Sequence, residues 1–541
     1  MSYVYDKTHD ALLYSDAPVP GLNYLGAEII PVGSGFAVRR TLRNSQILRR
    51  YNYPVPPIID ADNYHWPIEP GRQPLAHQRI YANFSVLHPR MFNLGDAGTM
   101  KTLSTLWAAD FLMRCHPPGT MRALVIGTLT TLDTVWGAAI FRNFLGERSF
   151  QILTGDEDKR REKLAKPSDF YIINPDGIKV GAFMKRGVTR LEGFAKELAD
   201  RKDIQIIIID EATAFKDHTS GRSRLLRQQF IDRQYTWLLT GTPTNTAPTD
   251  AYGLAKIVNN AYNKSFTGFR AETMHRIENT FIWKPVKDGY EKARQLLTPA
   301  VRFTLDEIWD GPPMTFQRRQ IPLTPEQNKM LQDLKRDLAV AVKGGQTISA
   351  ANEAAARWKY LQIVLGAVYD EKHTVHRVDA SPRYKEALDV INSTERKVVI
   401  GVPITSIIHQ LNDFLNEHWR KHKIPLRSDF INGEIVGKKR TAVIKAFESD
   451  PTLKVVLVDP IAASHGINEF VVGDTLIWFG AVDKAESWIQ LNARLRRPGQ
   501  KYPTTCFQFF ATKTESEMFD RLEKNESMQG LMLKAIRDEK L

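Results

Sequence analysis

The chain has 541 residues, of which 43% are hydrophobic and 25% charged, and its formal net charge is 74 − 61 = +13. This composition is typical of a globular protein of roughly three or four domains, and the positive charge favours a polyanionic partner such as nucleic acid. Two cysteines, Cys115 and Cys506, exclude a disulfide framework, and no apolar run reaches membrane-spanning length. We therefore expect a monomeric cytoplasmic protein that has neither a targeting signal nor a membrane span.

Residues 1–70 are rich in Tyr, Pro and Gly, with strand-like pieces at 27–32 and 36–38. A basic run follows at Arg39, Arg40 and Arg43. These arginines form either a solvated face of a small accessory layer or a contact with nucleic acid, for which a fork or branch is the candidate. Prolines between Pro54 and Pro74 then predict a linker or wrapping segment.

Residues 93–102 read N-L-G-D-A-G-T-M-K-T and lie between apolar Met91-Phe92 and a run with helical periodicity. Such a loop can bind phosphates, because backbone N–H groups and the helix start face the anion. Lys101 adds a positive charge, and the Thr102 hydroxyl can ligate Mg²⁺. Met100 stands where the usual pattern has glycine, so an ordinary glycine turn remains the alternative. The predicted nucleotide-binding residues here are Gly95, Asp96, Ala97, Gly98, Thr99, Met100, Lys101 and Thr102.

Short apolar runs alternate with helical stretches from residue 73 to about 260. The runs at 123–126, 170–173, 204–209 and 236–239 predict parallel strands that are buried on both faces. This alternation indicates a doubly wound α/β lobe, with the phosphate loop following its first strand, where such folds bind ligands.

Two further motifs follow strands of this lobe. The run 206–209 leads into Asp210 and Glu211, which predicts an Mg²⁺-binding carboxylate followed by a base that orients and deprotonates water. Two surface acids are the alternative. After the next strand, Thr240, Thr242 and Asn245 are hydrogen-bonding groups on a turn that could sense a γ-phosphate, although a capped turn explains them equally.

Long polar helical segments, such as 326–342 and 350–364, dominate residues 260–385. From 397 the α/β pattern returns, with runs at 398–400, 455–458, 475–478 and 507–510, but without a second phosphate loop. We therefore expect a nucleotide held between two lobes. Near the end, Gln490, Arg494 and Arg497 recur at helical spacing, and the arginines on that face could reach a γ-phosphate. A solvated basic helix is the alternative.

Taken together, these motifs resemble those of superfamily 2 helicases, specifically the Snf-type branch, which contains chromatin remodellers and bacterial and phage DNA translocases. The resemblance covers residues 75–541. It implies two RecA-like doubly wound parallel-sheet lobes with helical insertions between them and a small N-terminal accessory region. The implied boundaries are 1–70, 71–260 for the ATP-binding lobe, 261–385 for the insertions and inter-lobe bridge, and 386–541 for the second lobe.

The resemblance also implies roles for single residues. Gln78 is similar to the glutamine that reads adenine, and Arg497 to the arginine finger, with Gln490 and Arg494 as its catalytic partners. Lys101, Asp210 and Glu211 match the family's catalytic residues. The residues that it assigns to coupling are Thr240, Gly241, Thr242, Asn245, Gly466 and Asn468. Those that it places near DNA are Thr128, Trp136, Ser464 and His465.

The function implied is that of an ATP-dependent DNA translocase or helicase that uses ATP and Mg²⁺ on double-stranded, forked or branched DNA. In a compact phage-type member of this branch, the host cytoplasm would be its location. Two alternatives stay open. One is a nucleotide-gated DNA-binding scaffold with little turnover, because Met100 departs from the loop pattern, and the other is an RNA-directed helicase.

Overall fold

The computed structural model describes residues 2–22, 29–185, 188–244, 247–259, 263–276, 283–343, 350–435, 437–463, 469–482 and 484–524. These residues fall into two compact units. The first contains the chain up to Thr273 together with Val286–Thr304, and the second contains Met274–Pro285 and the chain from Leu305 onwards. Within the ranges just given, no helix has both the length and the apolar character that a membrane span requires.

The N-terminal layer is a small antiparallel sheet with one helix. Its elements are β1 (Tyr3–Asp6), β2 (Ala11–Tyr14), β3 (Ile29–Val32), β4 (Gly35–Arg39) and α1 (Leu42–Arg50). The strand order is β1-β2-β4-β3, and Tyr14 stacks on Phe36 with ring centroids 4.8 Å apart. Gln46 of α1 donates to the carbonyl of Val86 at 2.7 Å, which fastens this layer to the rest of the first unit.

The first unit is centred on a seven-stranded sheet in which every strand pairs in parallel. Its strands are β5 (Arg90–Asn93), β6 (Arg122–Ile126), β7 (Phe150–Ile152), β8 (Phe170–Ile173), β11 (Ile204–Asp210), β12 (Tyr235–Leu239) and β15 (Ala300–Val301), and a separate hairpin is formed by β9 (Ala182–Lys185) and β10 (Val188–Leu191). The order β15-β5-β12-β11-β6-β8-β7 is that of a doubly wound α/β lobe.

Alternation along β11 explains why this sheet is buried on both faces. Ile207 and Ile209 belong to one hydrophobic core, whereas Ile206 and Ile208 belong to another, and all four are fully buried. The covering helices are α2 (Ala76–Leu87), α3 (Lys101–Arg114), α4 (Ala138–Phe144), α5 (Glu157–Ala165), α6 (Gly193–Asp200), α7 (Gly221–Phe230), α8 (Asp250–Val258), α9 (Phe266–Thr273) and α10 (Gly289–Leu296). A π-helix at Leu132–Gly137 and 3₁₀ turns at Gly177–Lys179 and Ala212–Phe215 complete the unit.

The second unit contains a six-stranded sheet, also wholly parallel, in the order β16-β23-β22-β19-β21-β20. Its strands are β16 (Met314–Gln320), β19 (Lys397–Gly401), β20 (Arg427–Ile431), β21 (Leu453–Val458), β22 (Gly473–Trp478) and β23 (Thr504–Phe510). Its helices are α11 (Leu305–Ile308), α12 (Pro325–Lys343), α13 (Ala350–Leu365), α14 (Ser381–Asn392), α15 (Thr405–Lys421), α16 (Gly437–Ser449), α17 (Pro460–Ala463) and α18 (Ala485–Leu495), with a 3₁₀ turn at Glu469–Val472.

The two parallel sheets confirm the predicted fold of two RecA-like α/β lobes. The segment 261–385 differs from the helical prediction, because it also supplies one edge strand to each sheet, β15 and β16. It further contains two hairpins, β13 (Met274–Arg276) with β14 (Trp283–Pro285) and β17 (Ala367–Tyr369) with β18 (Val375–Arg377). The sequence did not reveal β16 because its residues after Met314 are exposed, so the strand lacks the apolar alternation of a buried one.

Candidate active site

The strand register of the first lobe brings the predicted motifs to one edge of the sheet. Asn93 at the end of β5 lies opposite Leu239 of β12, which in turn lies opposite Asp210 of β11. On the other side of β11, Ile209 is paired with Ile126 of β6. Because parallel strands end at the same edge, the segments that follow these residues meet there.

The phosphate loop occupies residues 94–100, and its backbone is shaped by left-handed residues. Gly98 has φ +86° and Met100 has φ +57°, directly before α3 begins at Lys101. Gly95 is required for a different reason, since a Cβ there would lie 1.9 Å from the Tyr81 hydroxyl and 2.6 Å from Thr99 Oγ1. Met100 therefore adopts a conformation that glycine adopts more easily, and the loop keeps its turn without the usual glycine.

The Lys101 ammonium lies among the carbonyl groups of this loop. Its Nζ donates to the carbonyl oxygens of Gly95 and Asp96 at 2.8 and 2.9 Å. Thr102 follows in the first turn of α3, where backbone N–H groups have no partner within the helix. A cation beside an open helix start is a chemical arrangement that suits phosphate oxygens.

Asp210 and Glu211 lie at the end of β11. Among the hydrogen bonds to the Asp210 carboxylate are one from the Trp136 indole Nε1 to Oδ2 at 2.9 Å and one from the Glu211 backbone N–H to Oδ1 at 3.0 Å. Glu211 has φ +48°, so the chain turns sharply out of the strand before the 3₁₀ turn begins. Left-handed backbone of this kind in residues other than glycine is concentrated at functional sites.

The predicted coupling turn packs directly against the phosphate loop. The backbone N–H of Thr240 donates to the Asn93 carbonyl at 3.0 Å, while the Asn93 side chain accepts from Gly95 N at 3.2 Å. At Gly241 an added Cβ would lie 3.2 Å from the Gly95 carbonyl oxygen. Thr242 is buried and donates its backbone N–H to the Thr240 hydroxyl. Asn245 lies outside the described residues.

Helix α2 packs its buried face beside the same loop. Tyr81 donates its hydroxyl to Thr99 Oγ1 at 3.3 Å, and Gln78 lies one turn before it. The Gln78 side chain is buried and its Oε1 accepts from the Leu75 backbone N–H at 3.1 Å, so it also stabilises the start of α2. Burial lowers the pKa of neighbouring His77. Recognition of adenine by Gln78 remains a prediction.

Sequence reasoning missed the role of Arg302. This arginine follows the edge strand β15, is only 3% exposed, and pairs with Asp96 of the phosphate loop at 3.0 Å. The next residue, Phe303, donates its backbone N–H to the Tyr81 hydroxyl and accepts from Asp96 N. The loop is thus fixed by a segment about two hundred residues away in sequence. The spacing of one helical turn between Gln78 and Tyr81 was the one sequence signal that could have placed Tyr81 beside the loop. No sequence pattern indicated the pairing of Arg302 with Asp96.

Two residues predicted to contact DNA are placed in the interior. Trp136 is fully buried and bonds Asp210, so its assignment to a DNA-facing surface is wrong. The Arg40 side chain is 12% exposed and pairs with Asp60 at 2.7 Å and Asp10 at 3.8 Å, so it too is an internal ion-pairing residue. Arg39 and Arg43 are exposed, and Thr128 is partly exposed after β6, as a surface role requires.

In the second lobe, Gln490 and Arg494 lie one helical turn apart on α18, as predicted. Arg497 does not share their helix, because α18 ends at Leu495 and Arg496 is extended. The following turn is held by Gln500, whose Nε2 donates to the carbonyls of Gly473 and Leu495 at 2.8 and 3.2 Å. Ser464, His465, Gly466 and Asn468 lie outside the described residues.

The residues of the first lobe fit a magnesium-bound nucleoside triphosphate. The loop supplies the Lys101 cation, the start of α3 and Gly95, which has no space for a side chain beside Tyr81. Asp210 supplies a carboxylate that accepts from two N–H donors. Mg²⁺ in such sites keeps several waters and binds one or two protein oxygens plus substrate phosphates. Thr102 and Asp210 are the residues that would hold it.

The chain is similar to one protein family and to several solved structures. Residues 94–349 match the family model of the SNF2-related domain. No curated protein sequence matches the chain. Similar solved structures include the Sulfolobus solfataricus SWI2/SNF2 ATPase core in complex with dsDNA, with 17% identity, a TM-score of 0.40, and coverage of 87% of this chain and 95% of that one. The S. solfataricus SWI2/SNF2 ATPase core domain has 18% identity, a TM-score of 0.37, and coverage of 86% and 91%.

The SNF2-related match includes the phosphate loop, Asp210, Glu211, the coupling turn and Arg302. These are the residues that meet at one edge of the first sheet. Residues 94–349 thus contain an SNF2-related domain, which supports the resemblance to the Snf-type branch of the superfamily 2 helicases and the activity of a nucleic-acid-dependent ATPase.

Proposed function

We propose that the chain couples ATP hydrolysis to movement along double-stranded DNA. The observation that supports this most is the direct packing of the coupling turn on the phosphate loop, where Gly241 approaches Gly95 so closely that a side chain would be crowded. A turn in such contact responds when the loop changes its phosphate contacts. Hydrolysis and a conformational change are thereby linked within one lobe.

In this proposal, Lys101 and the backbone N–H groups at the start of α3 bind the triphosphate. Lys101 exchanges its present contacts with the carbonyls of Gly95 and Asp96 for phosphate oxygens. Thr102 and Asp210 hold Mg²⁺, which when bound neutralises charge on the β- and γ-phosphates. Gln78 contacts the adenine from the first turn of α2.

Glu211 is the proposed base for the attacking water. The left-handed backbone of Glu211 turns the chain out of the direction of β11, one residue after Asp210, the proposed metal ligand. A carboxylate at that point can accept the proton that the water loses on attack, a contribution worth about 10²–10⁴ in rate. Asp210 and Glu211 therefore have separate tasks, although both are acids.

Residues of the second lobe are proposed to complete the reaction. Gln490 and Arg494 lie on α18, and Arg497 lies in the turn that Gln500 stabilises. A guanidinium group supplied to the γ-phosphate in the transition state is worth about 10³–10⁵ in turnover. Because these residues come from the other lobe, each cycle of hydrolysis requires the lobes to close and reopen.

DNA binding is proposed to depend mainly on phosphate contacts. The chain has a net charge of +13, and Arg39 and Arg43 are exposed on the N-terminal layer. Phosphate contacts give binding that is largely independent of sequence and that weakens steeply as salt increases. The same movement can unwind DNA, migrate a branch or displace bound proteins. Which of these occurs depends on the DNA structure on which the chain acts.

The test is steady-state ATP hydrolysis with single-stranded, blunt duplex, forked and four-way junction DNA, and with RNA, each at two salt concentrations. We expect strong stimulation by duplex-containing DNA, none by RNA, and loss of hydrolysis in Lys101→Ala. A triplex-displacement assay on blunt duplex DNA measures movement along the duplex. A strand-separation assay on forked DNA measures unwinding. Hydrolysis that no DNA stimulates would overturn the translocase proposal.

The same assay separates the scaffold alternative. Met100 departs from the usual loop pattern, but its φ of +57° preserves the left-handed turn before Lys101. A scaffold would bind ATP and DNA yet turn over slowly, whether or not DNA is present. Stimulation by RNA in place of DNA would instead favour an RNA-directed helicase.

A further inference from the structure

Trp136 lies in an unusual piece of backbone. It belongs to the π-helix Leu132–Gly137, which follows β6 after a short turn, and its side chain is fully buried. The turn is fixed because the Thr131 carbonyl accepts from Trp136 N at 3.0 Å and from Val135 N at 3.1 Å. Single π-turns of this kind occur frequently at functional sites.

The π-helix directs the indole toward the end of the neighbouring strand. Ile126 of β6 is paired with Ile209 of β11, so Gly127 and Asp210 follow at the same edge of the sheet. Trp136 Nε1 donates to Asp210 Oδ2 at 2.9 Å. Gly127 lies beside the indole, since a Cβ there would be 3.5 Å from Nε1, an ordinary contact distance.

The second Asp210 oxygen is held from another direction. Oδ1 accepts from the Glu211 backbone N–H at 3.0 Å. Because a donor reaches each oxygen, rotation of the carboxylate about its Cβ–Cγ bond breaks at least one hydrogen bond. A carboxylate oxygen has two lone pairs, so accepting such a hydrogen bond does not prevent it from ligating a metal.

We propose that Trp136 is a positioning residue for the metal-binding carboxylate Asp210, and that its indole N–H sets the carboxylate orientation on which Mg²⁺ affinity depends. This inference rests on the proposed function, because it takes Asp210 to be an Mg²⁺ ligand. Residues that hold a metal ligand in place in this way typically change metal affinity 10- to 100-fold when they are replaced. Burial explains why the indole itself does not contact DNA.

The same lobe offers a matched control. Trp107 is also fully buried, and its Nε1 donates to the Pro67 carbonyl at 2.6 Å, away from the acidic pair. Replacing either tryptophan by phenylalanine removes an indole N–H and leaves a comparable cavity. Only Trp136→Phe releases the Asp210 carboxylate.

The experiment measures binding of a fluorescent ATP analogue to the full chain over a range of Mg²⁺ concentrations, without DNA and without turnover. For Trp136→Phe we expect the Mg²⁺ midpoint to rise about 10- to 100-fold, whereas nucleotide affinity in the absence of Mg²⁺ stays within about twofold. Trp107→Phe is expected to keep the original midpoint. DNA affinity measured by anisotropy is expected to be the same in all three proteins.

A second variant covers the case in which Trp136→Phe does not fold. Trp136→Leu also lacks the N–H that donates to Asp210, and it is expected to raise the Mg²⁺ midpoint in the same direction. An unchanged midpoint in the folded variants, or a loss of DNA affinity with the midpoint retained, would overturn the inference alone. If Mg²⁺ did not affect nucleotide binding to the unaltered protein, the metal role of Asp210 and the proposed function would both fail.

Discussion

The two lobes have the same parallel architecture, but they treat the segment after a central strand differently. In the first lobe, β5 is followed by the long loop 94–100, whose left-handed residues open the backbone in front of Lys101. In the second lobe, β19 is followed only by residues 402–404 before α15 begins at Thr405. The short connection contains Val402, Pro403 and Ile404, and it offers neither a glycine turn nor a Lys-Thr pair.

The difference shows how one fold is given two tasks. Buried polar contacts in the first lobe support a binding loop, as in the pairing of Arg302 with Asp96. The comparable buried contact in the second lobe is the pair Arg383–Glu515, at 2.8 Å with almost no exposure, which joins α14 to the helical residues 513–524 that follow β23. The buried pair of the first lobe thus holds a loop in place, whereas that of the second lobe holds two helical segments together.

Glu211→Gln tests the catalytic task of the first lobe and has the largest effect expected from a first-lobe variant. The amide keeps the shape of the side chain but cannot accept the proton from water, so DNA-stimulated turnover should fall about 10²–10⁴-fold while ATP binding remains. Glu162→Gln on the exposed surface of α5 is the matched control and should retain full activity. Equal rates in the two variants would remove Glu211 from the mechanism.

Glu515→Ala tests the supporting task of the second lobe. It leaves the buried Arg383 guanidinium without its carboxylate, so the free energy of unfolding should fall by about 3–5 kcal/mol in a urea titration. Nucleotide affinity, which depends on the first lobe, should persist below the unfolding transition. The double variant Arg383→Met/Glu515→Leu should regain much of the stability, since it removes both charges. A stability loss below about 1 kcal/mol for Glu515→Ala would contradict this assignment.

Met100→Gly tests whether the loop shape is fixed by the backbone rather than by this side chain. Glycine adopts φ +57° without the cost of about 1–2 kcal/mol that other residues incur, although it has more freedom when unfolded. We expect the free energy of unfolding to rise by up to about 1 kcal/mol, with ATP hydrolysis retained. Met100→Ala removes the same side chain but keeps the Cβ, and should give no such gain. Equal stability in both variants would argue against strain at Met100.

A smaller effect is expected from pH. Burial lowers the pKa of His77, so the folded chain favours the neutral imidazole and the unfolded chain binds more protons at mildly acidic pH. The contribution of His77 to stability is therefore present above its ordinary pKa of about 6.5 and is lost as pH falls below it. In urea titrations, the free energy of unfolding should fall more between pH 7.5 and pH 5.5 for the unaltered protein than for His77→Gln. Parallel losses would exclude His77 as a source.

The main strands and the first-lobe motifs were predictable because they depend on local pattern. Apolar runs bounded by polar residues indicated β8 at Phe170–Ile173 and the other buried strands. The Asp-Glu pair marked the end of β11, and the Lys-Thr pair marked the start of α3. A parallel sheet then brings such ends together regardless of loop detail. The confirmed fold class follows from the same physics.

Other features depend on long-range packing, or on a helix end that the periodicity of the sequence does not indicate. The position of Trp136 results from a π-turn, which has no sequence period. Arg40 became an internal residue because Asp60 lies within reach in the folded chain. The break before Arg497 did have a signal, because a residue that precedes proline is disfavoured in helical backbone, and Pro498 follows it.

The proposed role of Arg497 of the second lobe is to act on the triphosphate bound by the first. Single-turnover ATP cleavage with DNA tests this role directly in Arg497→Ala and in the neighbouring control Arg496→Ala, which removes a partly exposed pairing with Asp306. We expect a loss of about 10³–10⁵-fold in cleavage for Arg497→Ala, with ATP affinity largely kept, and near-normal cleavage for Arg496→Ala. Equal cleavage rates in the two variants would contradict it.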